Sequence, residues 1–222
     1  MNDSESLHAG GIITRLEVQQ KRKNRCSVYI DDEFAFGIAI DLVVQFGLKK
    51  GTSLSATDIK TILLEESKRN AKDRAIRFLS FRDRSEKEIR DKLKTLKIDA
   101  AVIDWVMDEL KRLKLVDDGR FATAFAKGKM ASKPMGEYLL RREMSAKGLS
   151  DKYIETAIEQ INQEHDPYKL AMQLAEKQLK KQGHVDAVKA KKRVSDFLLR
   201  RGFNWDIIHD VLDKLHVNDD SE

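Results

Sequence analysis

The pattern of hydrophobic and polar positions repeats three times in the C-terminal two-thirds of this chain. Each copy has an apolar residue, a short polar residue that suits a helix N-cap, and apolar positions at offsets 5, 8, 9 and 12 from the first. The copies start at Ile98, Leu149 and Phe203, which are 51 and 54 residues apart. A repeat of this length is typical of stacked supersecondary units, and such units offer an extended surface rather than a catalytic pocket. The apolar positions are Ile103, Val106, Met107 and Leu110, then Ile154, Ala157, Ile158 and Ile161, then Ile208, Val211, Leu212 and Leu215.

Boundary signals predict three helices in each copy. Residues 85–88 form a Ser-x-x-Glu capping box, and Asp166-Pro167 supplies an N-cap followed by a proline in the first turn. Gly148 and Gly202 occupy the same repeat position after a middle helix, where a chain that reverses needs a left-handed backbone. Lys97 holds that position in the first copy, so we expect a turn there that is either slightly strained or differently built.

The N-terminal segment shows the alternation of β-strands. Polar and apolar residues alternate over 12–18 and 26–30, and Phe34 and Phe36 continue on one face. Residues 21–24 are polar and predict a loop. These strands form an antiparallel meander of about three strands, which is marginal alone and needs a cover for its apolar face. The apolar residues of 42–46, in a short helix, are the predicted cover.

The predicted fold is mainly α: three tandem three-helix repeats form an elongated curved body, preceded by a small antiparallel β-meander with a short helix. Disordered ends flank the folded part. The predicted segments are a tail at 1–10, the meander and short helix at 11–56, a linking helix and the first repeat at 57–115, the second repeat at 116–164, the third repeat at 165–216, and an acidic tail at 217–222.

Charge changes this picture by indicating an anionic partner. Charged residues make up 36% of the chain and proline occurs twice, which favours exposed helices over a β-sandwich. Residues 120–148 hold seven basic and two acidic side chains, and residues 176–202 hold nine and three. An anionic partner explains these stretches, and ordinary solvation of helix faces is the alternative.

Motifs of catalysis, metal binding and membrane insertion are absent from the sequence. There is no phosphate-binding glycine loop, no His-Glu-x-x-His and no Cys/His ligand set, so we expect no enzymatic activity and no cofactor. Cys26 is the single cysteine and alternates with apolar residues, which predicts a small core residue in a reducing compartment. Without a signal-peptide pattern or a membrane-spanning apolar run, we expect a cytoplasmic monomer.

Two stretches of the middle repeat, taken with the order of the three units, resemble the bacterial RecX family. The stretches are Leu115-Val116-Asp117-Asp118-Gly119-Arg120-Phe121-Ala122, and Gly136 followed by Leu139-Leu140-Arg141-Arg142-Glu143-Met144-Ser145-Ala146-Lys147-Gly148. The resemblance covers about residues 69–216, and the meander resembles an N-terminal extension that some members carry. Lys97 and Gly119 depart from the family pattern.

The resemblance implies a non-enzymatic regulator of the recombinase RecA in DNA repair, homologous recombination and the SOS response. Members of this family lie along the groove of the RecA–DNA filament and contact more than one subunit. They dampen ATP hydrolysis, strand exchange and coprotease activity. The implied partner is therefore the RecA filament, and single- or double-stranded DNA is a further candidate partner for the basic stretches.

Thirteen basic residues of the second and third repeats are the candidate contacts. Arginine pairs with carboxylates or phosphates, and lysines spaced by three or four residues suit a row of phosphates. A solvated helix face is the alternative for each residue. The candidates are Arg120, Lys127, Lys129, Lys133, Arg141, Arg142 and Lys147 in the second repeat, and Lys177, Lys180, Lys181, Lys191, Lys192 and Arg193 in the third.

A direct DNA-binding regulator of the helix-turn-helix type is the alternative function, since each unit has three short helices. It requires a recognition helix rich in Arg, Asn and Gln. The third helices of the first and last repeats instead carry acids, which dock poorly between phosphates. These acids are Asp99, Asp104, Asp108, Glu109, Asp206, Asp210 and Asp213.

Overall fold

The computed structural model of this protein describes residues 10–181 and 186–215. Its contacts divide the described residues into two compact units. The first holds the chain up to Phe81 together with Lys92–Arg112, and the second holds Arg82–Asp91 together with the chain from Leu113 onward. The predicted tails, apart from Gly10, lie outside the described residues. Gly183, a residue type that predicts the end of the first helix of the third repeat, also lies outside them.

The first compact unit begins with a four-stranded antiparallel sheet in the order β3-β2-β1-β4. The strands are β1 Gly11–Gln19, β2 Arg22–Ile30, β3 Glu33–Ala39 and β4 Ser53–Leu54. The meander of three strands is confirmed, and β4 adds two residues that pair with Gly11 and Ile12 at the start of β1. The loop predicted over 21–24 is wrong from Arg22 onward, because β2 already begins there and polar residues such as Lys23 are exposed on it.

One face of the sheet is covered by a short helix, α1 Ile40–Gln45, as predicted. Leu42 is buried and packs in a core with Val28 and Ile38, which are inaccessible to solvent. The prediction that Phe34 shares the face of Phe36 is wrong, since Phe34 is 60% exposed and Phe36 only 5%. Val28 pairs with Phe36 and the next residue, Tyr29, pairs with Phe34, so Ala35 is an extra residue on β3 that interrupts the alternation of this strand.

A long helix, α2 Ala56–Leu79, follows the sheet and serves as the linking helix and the first helix of the first repeat. It starts with a capping box in which Ser55 Oγ accepts the Asp58 N–H (3.1 Å) and the Asp58 carboxylate accepts the Ser55 N–H (2.9 Å). The buried Glu66 carboxylate accepts hydrogen bonds from Arg25 (2.5 Å) and from the Ala39 N–H (2.9 Å), so it ties α2 to the sheet. These partners satisfy a charge that would otherwise be costly to bury.

In the described part of the chain, eight further helices complete the three repeats. They are α3 Glu86–Thr95, α4 Ala100–Arg112, α5 Asp118–Ser132, α6 Glu137–Ala146, α7 Asp151–Glu164, α8 Pro167–Lys180, α9 Ala187–Arg200 and α10 Trp205–Lys214. The boundary between the compact units passes through α3. Eleven of the twelve apolar repeat positions are buried and Leu212 is half-buried, so the predicted hydrophobic pattern of the third helices is confirmed.

The same turn joins the middle and last helix of every repeat. Lys97, Gly148 and Gly202 lie in the left-handed region with φ of 58°, 79° and 84°. In each turn the next residue donates its N–H to the carbonyl five residues back, at 3.3, 3.4 and 3.2 Å. Asp99 and Asn204 then cap the following helices with their side chains, whereas Ser150 at the equivalent position makes no side-chain cap, contrary to prediction.

Replacing Lys97 with glycine should stabilise the protein. The left-handed backbone disfavours a residue with a Cβ by about 1–2 kcal/mol, and the extra flexibility of glycine in the unfolded chain offsets part of this, so Lys97→Gly should raise the free energy of unfolding by about 0.5–1 kcal/mol. Urea unfolding followed by circular dichroism measures the change.

Two further variants serve as controls for this prediction. Lys94→Gly in the exposed side of α3 should lower the free energy of unfolding by about 1 kcal/mol, because no left-handed backbone is relieved there. Gly148→Ala should lower it further, since an added Cβ would lie 2.4 Å from Cδ of Lys87. Equal effects of Lys97→Gly and Lys94→Gly would contradict the strain assigned to Lys97.

Candidate interaction surface

In the second compact unit, the turn after α6 packs against the first turn of α3. Ser85 caps α3: its Oγ accepts the Glu88 N–H and the Glu88 carboxylate accepts the Ser85 N–H, both at 3.3 Å, which confirms the predicted capping box. The buried Ser85 hydroxyl also donates to the carbonyl of Lys147 at 2.7 Å. The Lys87 ammonium donates to the carbonyl of Ala146 at 3.3 Å. The helix cap is therefore also a contact between successive repeats.

An ionic cluster strengthens this contact. The Glu88 carboxylate accepts hydrogen bonds from Lys147 (2.8 Å) and from Arg82 (2.8 and 3.2 Å). Burial by itself raises the pKa of the Glu88 carboxyl, but the hydrogen bonds and charges of Arg82 and Lys147 outweigh it and hold the pKa at about 2, against an ordinary 4.5. Lys147 therefore already has a carboxylate partner within the protein, Glu88.

The turn after α9 packs in the same way against the start of α6. Gly136, the N-cap of α6, has no side chain to cap the helix, and its N–H donates to the carbonyl of Arg201 (2.8 Å). The Tyr138 N–H donates to the carbonyl of Gly202 (3.0 Å). A Cβ on Gly136 would lie 2.3 Å from the oxygen of Gly202, so glycine is required there by close approach although its φ is ordinary.

Four of the seven candidate cations of the second repeat form ion pairs inside the protein. The two carboxylates beside Arg141 raise the pKa of its guanidinium, mainly through the hydrogen bonds with Glu155 and then Glu137. Each of these four side chains already faces a carboxylate of the protein, so they are weaker candidates for contact with a partner than the unpaired cations. The pairs are Lys127 with Glu164 (2.5 Å), Lys129 with Glu143 (2.5 Å), Arg141 with Glu137 (2.8 Å) and Glu155 (2.6 Å), and Lys147 with Glu88 (2.8 Å).

The other nine candidates lie on the surface without such internal carboxylate partners in the described part of the chain. Arg120 is at the start of α5, Lys133 at its end, and Arg142 on α6, and all three are exposed. In the third repeat, five of the six are exposed and Lys191 is half-buried. The third-repeat residues are Lys177, Lys180 and Lys181 on or just after α8, and Lys191, Lys192 and Arg193 on α9.

The structure brings Lys133 of the second repeat together with Lys177 and Lys181 of the third. With Arg201 they surround a cleft of about 260 Å³ between the end of α5 and the helices α8 and α9, which we call the basic cleft. The other lining residues are Ser132, Pro134, Leu174, Gln178 and Phe197. No carboxylate lines the cleft among the described residues.

Arg201 was not among the residues predicted from the sequence. Its guanidinium donates to the carbonyl of Pro134 (3.0 Å) and lies over the ring of Phe197, 5.2 Å from the ring centroid. Its position in the repeat could have identified it, because Arg201 and the candidate Lys147 both directly precede a left-handed glycine. The remaining exposed candidates do not line this cleft.

Neither a metal-binding cluster nor a helix able to cross a membrane is present among residues 10–181 and 186–215. Among them no group of three or more His, Cys, Asp or Glu side chains is placed to hold a metal ion. None of the described helices combines the length and the apolar character that a bilayer crossing requires.

Sequence models of four RecX domains match this chain in order. The model described as the regulatory protein RecX N-terminal domain matches residues 11–55. The first, second and third three-helix domains of RecX match residues 71–110, 117–158 and 164–212. The four matches together cover most of the chain.

Curated relatives and solved structures agree with these matches. The regulatory protein RecX of Bacillus subtilis (strain 168) is 33% identical over 95% of this chain and 79% of its own length, and that of Clostridioides difficile (strain 630) is 33% identical over 92% and 96%. A crystal structure of regulatory protein RecX superposes with a TM-score of 0.73 at 26% identity, covering 91% of this chain and 99% of the other. RecX from Lactobacillus salivarius gives 0.62 at 25% identity, over 68% and 97%.

Removing the charge of Glu88 should weaken the contact between α3 and the turn after α6. Because the folded pKa lies below the unfolded one, this carboxylate stabilises the protein fully above about pH 5, and the stabilisation is lost as the pH falls from 4.5 towards 2. Glu88→Gln should therefore lower the free energy of unfolding by about 2 kcal/mol at pH 7. The difference from the unsubstituted protein should shrink as the pH falls from 5 to 3.

The control for this experiment is Glu159→Gln, an exposed position on α7. Chemical unfolding of the three proteins at pH 7, 5, 4 and 3 provides the comparison, and the control should follow the unsubstituted protein throughout. A pH-independent difference for Glu88→Gln would mean that its charge does not stabilise this contact.

Proposed function

Because this chain belongs to the RecX family of regulatory proteins, we propose that it binds the filament of the recombinase RecA on DNA and modulates its activities, mostly by inhibition. The affected activities are ATP hydrolysis, strand exchange and coprotease activity. The protein acts without making or breaking bonds, in keeping with relatives that are named regulatory proteins. We place this action in the cytoplasm, in homologous recombination, DNA repair and the SOS response, and carried out by a monomer.

The succession of three three-helix repeats is the observation that supports this proposal most. Each repeat buries its own apolar stripe and leaves its charged faces to solvent. Contacts made by more than one repeat add their free energies without paying again for the loss of free movement, so modest contacts on each repeat give tight binding together. A filament, which offers the same surface at every subunit, suits such a binder.

Inhibition then follows from holding adjacent filament subunits in one arrangement. A ligand shifts a conformational equilibrium by as much as its affinities for the two states differ. A protein that bridges two subunits binds best to one relative position of them, so it disfavours the positions through which ATP turnover passes. The exposed basic residues of the second and third repeats, such as Arg120, Arg142 and Lys192, are the proposed contacts to acidic or phosphate groups of the filament.

Direct helix-turn-helix binding to DNA is less well supported. Five carboxylates are exposed on the third helices of the first and last repeats. A recognition helix would instead carry basic side chains or neutral hydrogen-bonding side chains at such positions. Carboxylates on a helix in the major groove face two rows of phosphates and repel them. They are Asp104 and Asp108 on α4, and Asp206, Asp210 and Asp213 on α10.

A direct test adds the full chain to RecA assembled on single-stranded DNA and measures ATP hydrolysis. Stoichiometric protein should lower the rate several-fold. The paired variants Arg120→Ala/Arg142→Ala and Lys192→Ala/Arg193→Ala should each require more protein for half-inhibition, and their combination should multiply the two effects because the contacts lie on different repeats.

The variant Lys49→Ala/Lys60→Ala is the matched control, since it removes two exposed lysines from the first compact unit. It should inhibit like the unsubstituted protein. An ATP hydrolysis rate that stays unchanged at stoichiometric concentrations of the unsubstituted protein would refute the proposed function.

A further inference from the structure

A row of three side chains crosses the outer face of the N-terminal sheet, opposite the face that α1 covers. Arg15 pairs with Tyr29 in the register of β1 and β2, and Tyr29 pairs with Phe34 in the register of β2 and β3. The Arg15 guanidinium lies over the Tyr29 ring, 3.9 Å from its centroid. The Phe34 ring meets the Tyr29 ring edge-on, with the two centroids 5.8 Å apart. We call these three residues the aromatic row, and Phe34, which is 60% exposed, is its open end.

The exposure of Phe34 is built into the pairing of the strands. Ala35 is an extra residue of β3 opposite the step from Val28 to Tyr29, so Phe34 and Phe36 lie on different faces of the sheet. Bulges of this kind often direct a side chain towards a functional surface. A large apolar side chain that a specific backbone feature holds in water indicates contact with another molecule, because folding alone favours its burial.

The end of the sheet beside Phe34 carries three negative charges. Asp31 and Asp32 form the turn between β2 and β3, Glu33 directly precedes Phe34, and all three carboxylates are exposed. One oxygen of Asp31 accepts the Ile12 N–H (3.1 Å), which leaves its charge in place. Both turn residues have a left-handed backbone, with φ of 49° and 70°, a conformation that Asn-Gly usually supplies in two-residue turns. The turn therefore has two charges where stability alone favours uncharged residues.

The cations described on the sheet do not neutralise these charges. Arg15 pairs with Glu17 (3.1 Å), and Arg25 pairs with the buried Glu66 (2.5 Å). Lys23, at the start of β2, is eight residues before the turn, or about 26 Å along the strand. That distance is well beyond the range of about 8 Å over which an exposed charge acts at physiological ionic strength. The open end of the aromatic row therefore combines an accessible ring with excess negative charge.

We propose that the open end of the aromatic row binds an arginine in a basic segment of a partner protein. A guanidinium on the Phe34 ring would repeat the contact that Arg15 makes with Tyr29. The same guanidinium can pair bidentately with a carboxylate of the adjacent turn. Arginine suits both contacts better than lysine, because its charged group is planar and forked. A nucleic acid is disfavoured as the occupant, since its phosphates would face three carboxylates.

This inference goes beyond the proposed function. That function assigns its contacts to basic residues of the second and third repeats, whereas the aromatic row lies in the first compact unit. Either assignment can fail while the other holds. The net charge of +5 means that the protein as a whole repels a cationic peptide, so binding of such a peptide must come from a local acidic site.

The test is fluorescence anisotropy of labelled hexa-arginine with the full chain. The unsubstituted protein should bind this peptide saturably and more tightly than it binds labelled hexa-lysine. Phe34→Ala should weaken binding about fivefold, because the stacking surface is removed. Phe34→Leu should weaken it nearly as much, since leucine keeps apolar area without a π system. Phe34→Trp should bind at least as tightly as the unsubstituted protein, because indole is the best ring for a cation.

Removing the charges of the turn tests the other half of the site. Asp31→Asn/Asp32→Asn/Glu33→Gln should bind hexa-arginine about tenfold more weakly at low salt, which corresponds to about twofold for each exposed ion pair lost. Its binding should also lose most of its dependence on salt. Asparagine tolerates the left-handed backbone, so the turn should keep its form.

Matched controls come from the same compact unit. Val44→Ala removes another exposed apolar side chain, and Asp73→Asn/Asp104→Asn/Asp108→Asn removes three exposed acids from α2 and α4 and gives the same net charge as the turn variant. Both controls should bind hexa-arginine like the unsubstituted protein, and thermal unfolding checks that every variant folds. Equal binding by Phe34→Ala and Val44→Ala would overturn the proposal, as would equal binding by the two triple variants.

Three further comparisons test other occupants and other modes of binding. Labelled oligo-dT should bind the unsubstituted protein and Phe34→Ala equally, and weaker binding by the variant would mean that the row binds nucleic acid instead. Sedimentation velocity should give both proteins the same oligomeric state. An oligomer that dissociates on Phe34→Ala would mean that a second copy occupies the row, and the proposal would be wrong. Hexa-lysine that binds as tightly as hexa-arginine would show that charge acts without stacking, which also contradicts the proposal.

Discussion

The contacts between successive repeats depend on one arrangement, in which carbonyls at the end of one middle helix accept hydrogen bonds from the start of the preceding middle helix. The last carbonyls of a helix carry partial negative charge and the first N–H groups partial positive charge. The end of α6 meets the start of α3 through the carbonyls of Ala146 and Lys147, and the end of α9 meets the start of α6 through those of Arg201 and Gly202. The turn must be left-handed to end the helix while leaving these carbonyls directed outward.

The two contacts solve the same problem with different chemistry. At the first, side chains complete the contact, since Ser85 caps α3 and also donates to Lys147, and Glu88 collects two cations. At the second, the backbones come too close for any side chain, so Gly136 and Gly202 face each other and carbonyl groups alone cap α6. The stability of the first contact therefore depends on charge and on pH. The stability of the second contact depends on the small size of Gly136 and Gly202.

Local features of this fold could be predicted from the sequence, and features that depend on long-range geometry could not. The left-handed turns follow from residues adjacent in the chain, and the position of Lys97 was inferred correctly because two repeats have glycine there. Strand β4 has two residues and shows no alternation to recognise. The exposure of Phe34 depends on an extra residue, Ala35, in the pairing of β3 with β2, and this pairing cannot be recognised from the sequence of β3 alone.

The sequence predicts which basic residues are candidates for contact with a partner, but it does not predict which of them lie together in the folded protein. Lys133 and Lys177 are 44 residues apart in the chain, and only the folded structure brings the end of α5 and helix α8 to one cleft. Within the second repeat, the packing of α5 and α6 against α7 places Glu164 beside Lys127 and Glu155 beside Arg141, which gives those two cations partners inside the protein. The pairing partners lie 37 and 14 residues away, so a count of charges within one segment cannot identify them.

Screening decides which of the remaining cations act together. At physiological ionic strength the field of an exposed charge decays over about 8 Å, so basic residues scattered over separate helix faces attract an anion almost independently. Cations that share one cleft lie within that distance and within walls that exclude solvent, so their attractions add. The net charge of +5 is consequently a poor guide to affinity for an anionic ligand. What matters is that Leu139 stands where α3 has Glu88, since this leaves Arg201 beside the lysines of the cleft without a carboxylate to neutralise it.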